Sequence, residues 1–217
     1  MFAHTTEYYV REQKRDRHAL RSPSEALRDE TEPVELGEVD AFVSYSWRDD
    51  SAATLAQLQS WAEDQPVADH GRRPTMVWID RYCIDINDLT LSIACLPIHI
   101  AGCKRILVLA GSTYPSRLWC ALELFVFVRM GGNKDDIELR LVLPPSEDET
   151  ARAAEKASIL TSMAKFDTVK AKCQVKADRQ RILAVIEASF GTTLPFSKKV
   201  RSIFADKLQL QDHGASP

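Results

Sequence analysis

One acidic residue stands inside an otherwise apolar run. Leu118–Val128 reads LWCALELFVFV, and Glu123 is the exception among its eleven residues. A helix that is apolar all round is buried, and glutamate is almost never fully buried unless paired. An isolated buried carboxylate is costly, so it shifts its pKa or finds a partner. Two readings follow. Glu123 is part of a structural ion pair, with Arg48 or Arg81 as the cation, or it is a carboxylate held in a cleft for chemistry. Trp119 lies four residues earlier, on the same face of a helix. Its flat ring either packs in the core or stands beside the carboxylate, where it suits a planar group and a developing positive charge.

Positioning such a pair requires a scaffold, and the hydrophobic pattern supplies one. Val39–Tyr45, Met76–Asp80, Arg105–Ala110 and Ile137–Leu143 read as strands. Arg105–Ala110 is almost wholly apolar, as expected in the middle of a parallel sheet. Phe166–Cys173 reads as a fifth, edge strand. Helical patterns run over Ser51–Glu63, Leu89–Ala101, Arg117–Met130, Glu149–Lys165, Lys176–Phe190 and Phe196–Leu208. Strands alternating with helices predict an α/β fold, with a parallel five-stranded sheet of flavodoxin-like order and helices on both faces. Ligands bind such sheets beyond the carboxyl ends of the strands. Ser44–Arg48, Asp80–Cys83 and Ala110–Tyr114 are therefore expected on one rim.

The chain has 217 residues, 45% of them apolar, and 28 basic against 31 acidic side chains give a formal charge of −3. That suits one α/β domain with arms. Residues 1–37 are polar and charged, and read as an N-terminal arm with a short helix around Ser24–Asp29. Residues 38–175 form the domain, and 176–217 form C-terminal helices and a tail packed on it. The near-neutral charge gives no field for nucleic acid or an anionic membrane surface. Five cysteines with no CxxC pair predict reduced, cytoplasmic usage. No secretory h-region and no run approaching 18 apolar residues occurs.

Two segments carry a resemblance. Val39–Tyr45 (VDAFVSY) resembles the first box of Toll/interleukin-1 receptor (TIR) domains, an aspartate–aromatic–aliphatic–serine–tyrosine pattern. Tyr114–Leu124 (YPSRLWCALEL) is similar to the plant-type TIR segment Ser-x-x-Trp-Cys-x-x-Glu-Leu, with Ser116, Trp119, Cys120, Glu123 and Leu124 in register. The tryptophan–glutamate spacing also resembles that of animal TIR NAD hydrolases. Val77–Asp85 (VWIDRYCID) resembles the Trp-x-Asp-x-x-Cys-Ile motif of fungal heterokaryon-incompatibility domains. In that loop the chain departs from the arginine, glycine or proline pattern usual in TIR domains. The similarity spans roughly Val39 to Cys173.

The resemblance implies release of nicotinamide from NAD, with Glu123 as catalytic carboxylate and NAD as substrate rather than cofactor. Nicotinamide leaves as a neutral pyridine from a cationic ring, so no acid is needed, unlike in ordinary glycosidases. One carboxylate suffices to hold ribose hydroxyls and offset an oxocarbenium-like charge. Trp119 is then expected beside the nicotinamide ribose, and Ser44, Tyr45, Ser46 and Trp47 along the nicotinamide side. Arg48 meets a phosphate, or is a solvated loop arginine. Asp80 contacts ligand, or caps its loop. TIR relatives act in stress, immune or cell-death signalling, and self-association through TIR-like surfaces is expected. The alternative is a non-catalytic TIR-like interaction module in signal transduction.

Other chemistries lack their residues. A receiver domain needs an aspartate after the third strand, where the chain reads Leu109-Ala110-Gly111. No GxGxxG, GxxxxGK[ST] or GxSxG motif occurs. Cys95, His99 and Cys103 fall at i, i+4, i+8, but read as a core stripe rather than metal ligands.

Overall fold

Successive residues of the parallel strands face opposite sides of the sheet, and the two sets bury themselves against different helices. The computed structural model describes residues 2–5, 31–65, 75–83 and 89–213. Its strands are β1 (Phe2–Thr5), β2 (Glu32–Pro33), β3 (Val39–Tyr45), β4 (Met76–Ile79), β5 (Cys103–Ala110) and β6 (Ile137–Leu141). The helices are α1 (Ser51–Glu63), α2 (Asp80–Cys83), α3 (Leu89–Ala101), α4 (Leu118–Arg129), α5 (Glu149–Ala164), α6 (Lys176–Phe190) and α7 (Thr193–His213).

Four strands run parallel, in the order β4-β3-β5-β6. β3 and β5 form the longest pairing, from Val39↔Cys103 to Tyr45↔Leu109. The antiparallel β1 and the two-residue β2 extend the β4 edge. Two pieces of the expected N-terminal arm therefore join the sheet. The helix expected around Ser24–Asp29 lies outside the described residues.

The fifth parallel strand expected over Phe166–Cys173 does not form. The Asp167 side chain accepts from Val169 N at 2.9 Å, and its carbonyl accepts from Lys170 N and Ala171 N. An Asx turn thus takes the backbone bonds that a strand would have used. Only a single parallel bridge, Arg117↔Lys172, remains. The parallel sheet has four strands, not five.

One face of the sheet, through Phe42, Trp78, Ile106 and Val108, packs with Leu96, Ile100, Leu122, Phe125, Ile159, Ile182 and Phe196 from α3 to α7. The other, through Ala41, Val43, Val77 and Leu107, packs with Leu58 and Trp61 of α1. Helices therefore cover both faces. α1 starts where it does because Asp50 accepts from Ala53 N at 2.7 Å, a side-chain N-cap. The C-terminal helices share the core: Ile182, Ile186, Phe196, Val200 and Phe204 are buried in the cluster that holds β5. No described helix is long and apolar enough to cross a membrane.

Candidate functional site

The loops after β3, β4 and β5 are tied together by side chains. Asp49 accepts from Gly111 N at 3.1 Å, Thr113 N at 2.8 Å and Thr113 Oγ1 at 2.7 Å. Ser46 Oγ and Thr113 Oγ1 are 2.6 Å apart. Trp47 Nε1 donates to both Asp80 carboxylate oxygens at 3.1 Å. The three segments expected on one rim thus touch one another.

α4 begins immediately after the turn Tyr114–Ser116 and runs under this rim. It brings Glu123 beneath Ser44, the penultimate residue of β3. Ser44 Oγ donates to Glu123 Oε2 at 2.6 Å and lies 2.9 Å from the Tyr114 hydroxyl. Ser44 has one proton, and it points to Glu123, so Tyr114 donates to Ser44 in turn. Glu123 is 5% exposed and forms no ion pair with Arg48 or Arg81. Arg48 is exposed. The Arg81 guanidinium sits over the Trp47 ring, 5.8 Å from its centroid, a cation–π contact.

A cavity of about 260 Å³ opens here, lined by Tyr45, Trp47, Asp80, Arg117, Trp119, Cys120, Glu123, Gln174, Val175 and Asp178. It lies at the small end of ligand pockets, which run to about 300–1,000 Å³. Among the expected substrate-binding residues, Tyr45, Trp47, Asp80 and Trp119 line it. Ser44 reaches it only through Glu123. Ser46 turns to Thr113 and accepts from Arg48 N at 3.3 Å, and neither Ser46 nor Arg48 is in the lining.

Burial governs the electrostatics. It pushes the Glu123 carboxyl well above the usual carboxylate range. The nearby Asp80 raises it further, while the Ser44 hydrogen bond and Arg117 oppose. Asp80 is pushed up to about 6, again chiefly by burial, against the Trp47 bond and the pull of Arg81 and Arg117. Two carboxyls facing one low-dielectric space cannot both ionise readily. Burial also drives the Cys120 thiol and Tyr114 phenol well above their ordinary values, so neither is a thiolate or phenolate nucleophile at neutral pH.

Sequence reasoning missed Arg117, Gln174, Val175 and Asp178. Arg117 looked like the first residue of a helix. It is instead the N-cap of α4, with its side chain making no capping bond. Gln174–Asp178 sit at the start of α6, about fifty residues downstream, where nothing in the local pattern signals a cavity. Cys95, His99 and Cys103 are not gathered. The His99 ring stacks on Trp78 with centroids 4.9 Å apart, and Cys103 Sγ donates to the His99 carbonyl at 3.2 Å. Among the described residues no group of three His, Cys, Asp or Glu side chains is placed to hold a metal ion.

Compared with family models, with curated proteins and with solved structures, the chain matches none.

Proposed function

We propose that the chain is a TIR-like domain, flavodoxin-like in strand order, that cleaves NAD to nicotinamide and an ADP-ribose product in stress or cell-death signalling. The observation that carries this reading is the Glu123 carboxyl, buried yet lining a cavity between Trp47, Trp119 and Asp80. The parallel order, with the first parallel strand between the second and third, also supports it.

The chemistry asks little of the protein beyond placement. Burial disfavours the ionised form of Glu123. A pyridinium ring arriving beside it favours the charged form, because opposite charges in a low-dielectric cavity attract strongly. As the bond between nicotinamide and ribose breaks, positive charge moves from ring to sugar, and Glu123 stabilises it there until water, or a hydroxyl of the ligand for a cyclic product, bonds to that carbon and releases its proton. The Tyr114–Ser44–Glu123 chain of hydrogen bonds fixes the carboxyl's rotamer, so little reorganisation accompanies the step. Trp119, one helical turn from Glu123, offers the sugar a flat wall. At about 260 Å³ the cavity cannot hold the whole dinucleotide, so the adenosine half is expected to extend outward.

The test follows nicotinamide release from NAD by concentrated protein, since assembly is expected to complete TIR-like sites. Wild type should turn over, and Glu123→Ala and Glu123→Gln should lose at least about 10²-fold in kcat, as removal of a main electrostatic stabiliser does. Equal turnover in all three removes Glu123 from the mechanism. No release by wild-type oligomers sinks the hydrolase reading and leaves the interaction module.

A further inference from the structure

Arg117 is the cavity residue whose position its own surroundings do not explain. It is 8% exposed, and a guanidinium cannot shed its charge by losing a proton. A buried cation therefore needs a hydrogen-bonded counter-charge. Among the described residues the Arg117 side chain makes neither a hydrogen bond nor an ion pair. Its backbone is fully engaged: its N–H donates to the Tyr114 carbonyl, while the flanking Leu118 N and Ser116 O bond Lys172. The backbone is thereby held in place, while the side-chain donors bond none of the described residues.

The surroundings compound the cost. Arg117 is the N-cap of α4, the positive end of that helix dipole, where a cation is unfavourable. The start of α6 adds a second helix N-terminus, because Val175 is its N-cap and has no side-chain cap. Val175 and the first-turn Asp178 line the same cavity as Arg117. Asp178 is 4% exposed, and its Oδ1 has no hydrogen bond. Its charge partner is Arg181, 3.9 Å away on the same helix. The remaining carboxyls, Glu123 and Asp80, are those that burial biases toward the neutral form.

We infer that Arg117, with the uncapped first turn of α6, binds a phosphate group of the ligand whose reacting part lies against Glu123 and Trp119. A guanidinium fork matches phosphate oxygens in pairs, and a helix N-terminus offers N–H groups to the same anion. Lys172, through its bridge to Arg117, and the turn at Asp167 are the positioning elements. The inference rests on the proposed function in taking this cavity as the ligand site, but not on turnover.

The test measures binding to the full chain by calorimetry, with NAD, ADP-ribose, inorganic pyrophosphate and the phosphate-free nicotinamide riboside as probes. Arg117→Gln should weaken NAD, ADP-ribose and pyrophosphate by about 10–100-fold, the range for loss of a hydrogen-bonded charge. Nicotinamide riboside should change by less than about 2-fold. Arg117→Lys, a point charge without the fork, should fall between. Arg117→Met should hold or raise the melting temperature of the ligand-free protein, since it removes a buried cation that has no hydrogen-bonded partner among the described residues. Unchanged phosphate binding in Arg117→Gln, equal loss for nicotinamide riboside, or a marked fall in melting temperature for Arg117→Met overturns the inference. So does a wild type that binds none of the phosphate probes. Phosphate binding through Arg117 without nicotinamide release sinks the hydrolase instead, and Glu123-dependent release unaffected in KM by Arg117→Gln sinks only the role of Arg117.

Discussion

Ionisation of Glu123 has opposite consequences for stability and for the proposed NAD cleavage. In the unfolded chain it titrates near 4.5, but in the fold burial raises it well above that. The native state thus holds the proton longer than the unfolded state. Stability is fullest below about pH 4.5 as far as this group is concerned, and is lost as pH rises toward the folded value. Asp80 contributes in the same direction, between 3.8 and about 6. Glu123→Gln cannot ionise, so it should remove its share of the fall, up to about 1.4 kcal/mol per pH unit. Urea titrations of both proteins from pH 5 to 8 should diverge, with the variant increasingly the more stable. Parallel curves would mean that Glu123 is solvated in the folded state. For the proposed NAD cleavage the sign reverses: the ionised form is the useful one, so kcat/KM should climb as pH rises toward the folded value. The exceptional position of this residue was legible because a single charge in an apolar helix needs a reason. Arg117 was not legible, because an arginine before a helix is ordinary until its lack of a partner is seen.

At the level of elements, most boundaries followed from periodicity. β3, α1, α3 and α6 begin and end where the hydrophobic pattern changes. The failure at Phe166–Cys173 is instructive: the segment read as an edge strand, and one aspartate side chain diverted the backbone into a turn. The rim depends on a similar local contact. Gly111 follows β5, and a Cβ there would lie 2.4 Å from Asp49 Cγ and 2.6 Å from its Oδ2. Asp49 cannot retreat without losing Thr113. Gly111→Ala should therefore destabilise by about 1–3 kcal/mol, and should loosen the loops that carry Trp47 and Thr113. Denaturant midpoints measure the first effect, and weaker quenching of tryptophan fluorescence by NAD the second. Wild-type stability in Gly111→Ala would show that the three loops are not clamped through Asp49.

Across the whole molecule, the cavity and the C-terminal helices belong to one cooperative structure. Residues 176–217 read in the sequence as C-terminal helices and a tail packed on the domain. α6 supplies Asp178, and its N-cap Val175, to the neighbourhood of the site, and α7 supplies Phe196 to the core. Phe196 is fully buried. Its ring lies 5.1 Å from Phe125, 6.0 Å from Phe190 and 6.3 Å from Phe166. Phe125 follows Glu123 by two residues on α4, so one aromatic cluster anchors α4, α6 and the turn that supports Arg117. Phe196→Ala removes the shared ring and should cost about 3–5 kcal/mol, a large part of a typical domain's 5–15 kcal/mol. Because the core is continuous, the loss should appear as one transition. Far-UV circular dichroism and tryptophan fluorescence, which sees Trp119 beside the cavity, should melt together at the lower temperature. If helical signal is instead lost first while the fluorescence transition stays at its wild-type temperature, the C-terminal helices are a separable layer, and the cavity wall they form is not part of the site's stable frame.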